Sequence, residues 1–338
     1  MISRVSVISN IGEPIVLPDF KVVPESIRLE DVSCPNQCHR DDEIIVIGRD
    51  LISNLPGEYT IVKCRTCGLM RTNPRPTAET IGLYYPDDYG PYLSTKVEKN
   101  NDPIENSVKK ILKPLVRWIF DSKDQALPSL PSGRLLEVGC ASGSFMHRMA
   151  AQGWSVEGIE LSEKAANGPK NMGYKVHVGS LENSPEPDGQ LDLIVGWMVL
   201  EHLHDPISCL KKLHNWTRPG GWLVLSVPNS CSLGINLFKD NWYALHLPAH
   251  LYHFTPLTLE NVLHKGGWTL KKVYQQRTIT DLIVSTARVF ESKGRIKIGK
   301  WLRVLAGGGK WFYILFPLAW ILGIFGQSGR MTVWAKKL

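Results

Sequence analysis

In the middle of this chain, apolar residues come in short unbroken runs, each closed by a small residue or an acid. RLLEVGC (134–140), SVEGIEL (155–161), YKVHVGS (174–180), LDLIVGW (191–197) and GWLVLSVP (221–228) are such runs. Their length and continuity predict strands covered on both faces. Helical stretches lie between them. One starts at Gly143 and another at Ser162, an N-cap residue followed by Glu163 in the first turn. The alternation predicts an α/β fold, a doubly wound and mostly parallel sheet. TLKKVYQQ (269–276) and the terminal MTVWAKK (331–337) read as two further strands that close it, with an insertion at about 280–330 between them.

The pattern divides the chain. Residues 1–95 are rich in Pro, Gly and Asp and hold two cysteine pairs. Residues 96–130 form a linker, with helical spacing at Val108, Ile111, Leu112, Leu115, Trp118 and Ile119 within 103–125. The stretch LPSLPSG (127–133) then breaks the helix. Residues 131–338 carry the α/β pattern.

Composition changes this picture in two places. At 338 residues, with 43% apolar and 21% charged side chains, the chain has the make-up of a soluble globular protein of two units. The net charge of +7 is concentrated: six Lys/Arg and one acid fall between Glu291 and Lys310. That argues for a local effect at a membrane or an anionic substrate, and against nucleic-acid binding by the whole domain. The seven cysteines are an odd number, and MISRVSVISNIGEPIVL lacks a secretory pattern. A reducing, cytoplasmic compartment follows as the expectation.

The first strand runs into LLEVGCASGSF (135–145), where small residues fall at Gly139, Ala141 and Gly143. A dinucleotide fold wants G-x-G-x-x-G, and its third glycine would fall at Ser144. Glu137 suits an ammonium better than a pyrophosphate. Glu160 ends the second strand, where an acid suits ribose hydroxyls. Ser180 and the Leu181 backbone, after the third strand, suit an adenine edge. The ligand so described has an ammonium, a ribose and an adenine and no phosphate, which is S-adenosylmethionine. A structural glycine turn with surface acids is the plainer alternative.

On these residues, about 133–338 resembles a class I S-adenosylmethionine-dependent methyltransferase. EVGCASG matches the family's first motif with Ala141 in place of the middle glycine. LDLIVGWMVLEHLHDP and TRPGGWLVLSVPN resemble the fourth strand with its loop and the turn into the fifth. The resemblance implies a seven-stranded sheet with an antiparallel last strand. It also implies cofactor contacts at Glu137, Gly139, Ala141, Gly143, Glu160, Leu161, Ser180, Leu181 and Trp197. HLPAHLYHFTPLTLENVLHKGGW (246–268) resembles a block of a subgroup associated with sugar, polysaccharide and lipid-linked substrates.

Five of the ten histidines follow the fourth and fifth strands: His202, His204, His246, His250 and His253. Both segments belong at the carboxyl edge of the sheet. His202 and His250 are the candidate catalytic bases, with an orienting hydrogen bond as the alternative for His202. Glu201-His202 resembles part of a magnesium pattern of quinone-biosynthesis O-methyltransferases. That pattern has an acid where this chain has Met198, so no catalytic metal is expected. Trp242 and Tyr243 are candidate acceptor contacts.

Cys34 and Cys38, with Cys64 and Cys67, have the look of a zinc ribbon holding a structural zinc; His39 is an alternative ligand. Tyr84, Tyr85 and Tyr89 of this module are candidate contacts at the mouth of the site. WFYILFPLAWILGIF (311–325) is strongly apolar but short of a spanning helix and interrupted by Pro317. Behind the basic stretch it reads as peripheral contact with a membrane's inner face over about 293–326, or as a helix packed on the protein. The expected activity is O-methylation of a sugar, glycan or lipid-linked saccharide. C-methylation, a quinone- or phenol-like acceptor, an NAD-dependent oxidoreductase and a non-catalytic zinc-ribbon binding protein are the rivals.

Overall fold

The computed structural model describes residues 22–85, 125–307 and 310–338, the last from 314 with side chains, and two short strands at Val7–Ile8 and Pro14–Ile15. The helix expected over 103–125 and the candidate Tyr89 lie outside the described residues. In chain order the strands are β1 (Asp42–Arg49), β2 (Glu58–Cys64), β3 (Met70–Thr72), β4 (Arg134–Val138), β5 (Ser155–Glu160) and β6 (Lys175–Val178). They continue with β7 (Leu191–Trp197), β8 (Thr217–Pro228), β9 (Tyr252–His253), β10 (Thr269–Gln275) and β11 (Arg330–Lys336). The helices are α1 (Ser144–Ala150), α2 (Glu163–Asn171), α3 (Pro206–Trp216), α4 (Leu233–Phe238), α5 (Pro256–Lys265), α6 (Thr280–Ser292), α7 (Ile296–Ala306) and α8 (Lys310–Ile324).

The main sheet has seven strands in the order β6-β5-β4-β7-β8-β11-β10. Neighbours from β6 to β8 are parallel. β11 runs antiparallel to both β8 and β10, as the final strand was expected to do. The chain winds outward from β4 in one direction and from β7 in the other. The switch point therefore lies between β4 and β7, and the carboxyl ends of β4, β5 and β7 open a crevice there. Leu135, Leu193, Val195 and Val224 on one face and Leu136, Ile194, Leu223 and Leu225 on the other are almost fully buried. That double burial is why these strands read as continuous apolar runs.

The N-terminal module is not a separate body. β1, β2 and β3 form an antiparallel sheet whose fourth strand is β9, taken from the α/β domain: Tyr252 pairs with Arg71 and His253 with Met70. Tyr59, Ile61 and Leu69 of the module share one buried cluster with Leu245, Leu251 and Phe254. Thr72 Oγ1 donates to the His250 carbonyl at 2.7 Å, and Arg75 Nη1 donates to the His204 carbonyl at 3.0 Å. The expected boundary near residue 95 lies outside the described residues.

The insertion between β10 and β11 is three helices, α6 to α8. α6 lies against the domain, with Val284, Ser285 and Ala287 buried. α8 has 15 residues with Pro317 inside, and among the described residues no helix is long and apolar enough to cross a membrane. Phe316 and Ala319 pack inward, whereas Trp301, Val304, Ile314, Trp320 and Phe325 are exposed.

Candidate functional site

The loop after β4 is built by backbone geometry. Gly139, Ala141 and Gly143 have φ of 70°, 45° and 76°, all left-handed. Glycine tolerates this and alanine pays strain, so the middle position is where a glycine would have cost less. Gly139 also abuts Val199, whose Cγ2 would lie 2.7 Å from any added Cβ. Glu160, at the end of β5, holds this loop. Its Oε2 accepts from the Ala141 N–H and its Oε1 from the Ser162 N–H, both at 2.8 Å. Burial pushes its carboxyl above the ordinary carboxylate range, and these backbone donors pull the other way.

A cavity of about 1360 Å³ opens from this crevice to the N-terminal module. Of the predicted cofactor residues, Gly139, Ala141, Glu160, Leu161, Ser180, Leu181 and Trp197 line it. Glu137 and Gly143 do not line it. Glu137 is 3% exposed, and its carboxylate takes the backbone N–H of Met146 in the first turn of α1. The cap residue of that helix is Gly143, which has no side chain to cap with. Glu137 thus supplies the oxygen that a serine or aspartate cap would have supplied. Gly143 instead lets α1 approach α2, where a Cβ would come 2.6 Å from Cβ of Pro169.

His202, His204, His246 and His250 line the same cavity; His253 is buried beside it. One ring nitrogen from each of His202, His246 and His250 lies within 4.8 Å of the others. Nδ1 of His202 is 2.9 Å from the Ala249 carbonyl and Nδ1 of His250 is 2.9 Å from the Ala244 carbonyl. A carbonyl only accepts, so each Nδ1 carries the proton and each Nε2 keeps its lone pair. Desolvation pulls His202 down to about 4 and His246 and His250 well below their ordinary value. All three are therefore neutral at pH 7. Both His202 and His250 line the cavity, and they are weaker bases than a near-neutral pKa would give.

From the module, Tyr85, Ile81 and Gly82 complete the wall, and Tyr85 is a sequence candidate that reaches the site. Tyr84 does not; it is buried, with its hydroxyl against that of Tyr59. Tyr243 lines the cavity, but Trp242 is fully buried behind it and is no acceptor contact. Glu201 is also fully buried, and desolvation raises its carboxyl to about 8. Three cavity residues carried no signal as a group in the sequence: Arg288, Arg303 and Arg330. They lie on α6, α7 and β11, and only folding brings them together. Burial pulls Arg288 down to about 10, which leaves it charged at pH 7.

Cys34, Cys38, Cys64 and Cys67 gather at the end of β2, their sulfurs within 4.8 Å of one another, and all are free thiols. Tetrahedral zinc with Zn–S of ~2.3 Å sets sulfur separations of about 3.8 Å, so the cluster fits that ion with small adjustments. His39 is not part of the cluster. Burial pushes the Cys34 thiol up, and Cys38 up to about 11. At Cys67 burial is outweighed by hydrogen bonds from Asn36, Leu69 and the neighbouring thiols, which bring it down to about 7. Asn36 Nδ2 lies 3.3 Å from that sulfur, and the Asn36 backbone carbonyl accepts from Nζ of Lys265 of α5 at 2.6 Å.

Residues 112–273 match a family profile described as a methyltransferase domain. The ubiquinone biosynthesis O-methyltransferase of Bordetella bronchiseptica is 34% identical over 108 residues, 30% of this chain and 45% of that protein. The Thiobacillus denitrificans protein of the same name is 32% identical over 122 residues, 34% of this chain and 50% of its own length. The chain spans about half the length of the curated relatives it matches. A solved S-adenosylmethionine-dependent methyltransferase from Mesorhizobium loti is 17% identical, with a TM-score of 0.42 over 67% of this chain and 97% of that one. The strand order, the loop after β4 and the family match together make residues 112–273 a methyltransferase domain of the S-adenosylmethionine-dependent class.

Proposed function

We propose that the protein transfers a methyl group from S-adenosylmethionine to a hydroxyl oxygen of a small acceptor held in the 1360 Å³ cavity. The observation that carries this reading is the cavity itself. It joins the β4, β5 and β7 loops to the histidine cluster, and it exceeds the roughly 300–1,000 Å³ of a pocket for one ligand. Glu160 holds the ribose hydroxyls, and the backbone at Gly139 and Ala141 admits the methionine part. When bound, the cofactor supplies an electrophilic methyl on a sulfonium. The protein's part is orientation: Nε2 of His202 or His250 accepts the hydrogen bond of the acceptor hydroxyl and takes its proton as the oxygen is methylated.

Two acceptor classes compete. The relatives named for ubiquinone biosynthesis favour a phenol-like acceptor, and the sugar or glycan of the sequence reading is the second. The four cysteines hold a structural zinc, which folds the module that forms one wall of the cavity. The exposed apolar side chains of α7 and α8, with Lys293, Arg295, Lys297 and Lys300 exposed beside them, contact an anionic lipid surface.

Calorimetric titration with S-adenosylhomocysteine, with NAD as control, tests the cofactor. Mass spectrometry after incubation with S-adenosylmethionine and a phenol or a sugar-nucleotide panel then tests the acceptor. Saturable binding of the first ligand alone and a product heavier by one methylene are expected. Binding of NAD, or of neither ligand, would overturn the reading.

A further inference from the structure

Arg288 is 6% exposed and lines the cavity, yet among the described residues no carboxylate pairs with it. Its Nη1 reaches only the Trp242 carbonyl, at 3.4 Å, and its Nε has no hydrogen-bond partner. The charged groups nearest to it are committed elsewhere. Asp50 accepts from the backbone of Ile52, Ser53 and Leu55, and Glu291 is held by both Nε and Nη2 of Arg303. A buried guanidinium without a counter-ion is a costly arrangement, and it is retained where an anion arrives to meet it.

Two more guanidinium groups face the same space. Arg303 and Arg330 line the cavity beside Arg288, and Nε of Arg330 also lacks a partner while Nη2 pairs with Asp281 at 3.4 Å. Tyr243 braces the group: the Arg288 and Arg330 guanidiniums lie 5.2 and 6.0 Å from its ring centre. The Tyr243 backbone is itself fixed by its N–H to Oγ of Ser285 at 2.9 Å. Stacking on one ring holds two forks in place, and guanidinium forks match the planar edges of carboxylate and phosphate oxygens. Neutral His246 adds no competing charge.

We propose that Arg288, flanked by Arg303 and Arg330, is an oxyanion subsite that takes a phosphoryl or carboxylate group of the methyl acceptor. The inference rests on reading the cavity as the acceptor site. It narrows the acceptor to an acidic molecule, because a neutral one would leave Arg288 buried and unpaired. The proposed cofactor residues lie on the loops after β4, β5 and β7, whereas these arginines come from α6, α7 and β11.

The test uses the full-length protein saturated with S-adenosylhomocysteine and titrated with inorganic pyrophosphate, 4-hydroxybenzoate and, as a neutral control, phenol. The expected result is binding of pyrophosphate or 4-hydroxybenzoate, with phenol at least tenfold weaker, and a tenfold or greater loss in Arg288→Met. Preference for pyrophosphate assigns a phosphorylated acceptor, and preference for 4-hydroxybenzoate a carboxylated one. Methionine matches much of the volume without the buried charge, so the variant is expected to fold. Arg303→Gln also releases Glu291 from its ion pair, which leaves a carboxylate free to compete at Arg288, and a smaller loss is expected. Equal anion binding in wild type and Arg288→Met overturns the proposal, as does failure of both anions to bind. A variant that loses S-adenosylhomocysteine affinity instead overturns it in favour of the cofactor's carboxylate. Absence of S-adenosylhomocysteine binding to the wild type would strike the functional reading and is measured separately.

Discussion

The hydroxyl of Tyr85 lies 2.7 Å from Nδ1 of His202, although 117 residues separate them. The same hydroxyl donates to the Ala249 carbonyl at 3.3 Å, which also accepts from His202 Nδ1. A residue of the cysteine module therefore braces the orientation of a histidine beyond β7, while the Ala249 carbonyl sets its tautomer. Tyr85→Phe should lower kcat about 5–10-fold, the equivalent of one neutral hydrogen bond. S-adenosylhomocysteine affinity should stay within twofold. An unchanged kcat would show that His202 needs no such support.

Glu160 joins two functions, since its oxygens hold the Ala141 and Ser162 backbone N–H groups at the cavity wall. Glu160→Ala removes the ribose acceptor and frees both donors. Hydrogen bonds to a charged group are worth ~1.5–3 kcal/mol, so S-adenosylhomocysteine should bind roughly 10–100-fold more weakly. Glu160→Gln should fall between. Calorimetry showing wild-type affinity in the alanine variant would remove Glu160 from the cofactor site.

Burial raises the Glu137 carboxyl well above its ordinary value of 4.5; the Met146 N–H and Arg148 oppose the shift and Glu160 adds to it. The folded state then keeps a proton that the unfolded state has already lost. Stability from this group is complete below pH 4.5 and declines as pH rises towards the folded pKa, by up to ~1.4 kcal/mol per pH unit. Glu137→Gln keeps an acceptor for Met146 and cannot ionise. Its Tm relative to wild type should therefore climb between pH 4.5 and pH 7. A pH-independent difference would show that Glu137 titrates normally.

The four-cysteine cluster predicts what a chelator does. Stripping zinc should lower Tm and make the four clustered thiols reactive towards Ellman's reagent, in addition to Cys231, which is already exposed. Methyl transfer should fall further than S-adenosylhomocysteine binding, because the module walls the acceptor space while Glu160 and the β4 loop are anchored in the main sheet. Thiol counts and Tm untouched by chelation would mean that the cluster holds no ion.

The exposed face of α7 and α8 makes the lipid proposal measurable by vesicle flotation. Phosphatidylglycerol vesicles should retain the protein at low salt and release part of it at high salt, since the basic side chains are screened and the apolar ones are not. Trp301→Glu should weaken retention, because the indole is 57% exposed and packs little of the domain. Equal retention of variant and wild type would place the contact elsewhere or nowhere.

Local pattern determined the main sheet. LDLIVGW is a strand over its full length, because a strand buried on both faces must be written as a continuous apolar run. MTVWAKK falls on β11, and TLKKVYQQ on β10, the edge strand, where two lysines are exposed. The tight turn after β4 and the gathering of the cysteine pairs were also legible, since their spacing is itself the geometry they need. Tertiary structure decided the rest. Glu137 faces a helix N-terminus instead of the cavity, and Trp242 lies behind the wall that Tyr243 forms, because side-chain direction at a strand end or in a loop has no period to read. Tyr85, His202 and Arg288 meet around one space from three distant parts of the chain. Nothing in their neighbours' types records that meeting, because long-range juxtaposition is set by how helices and sheets pack and not by any local preference.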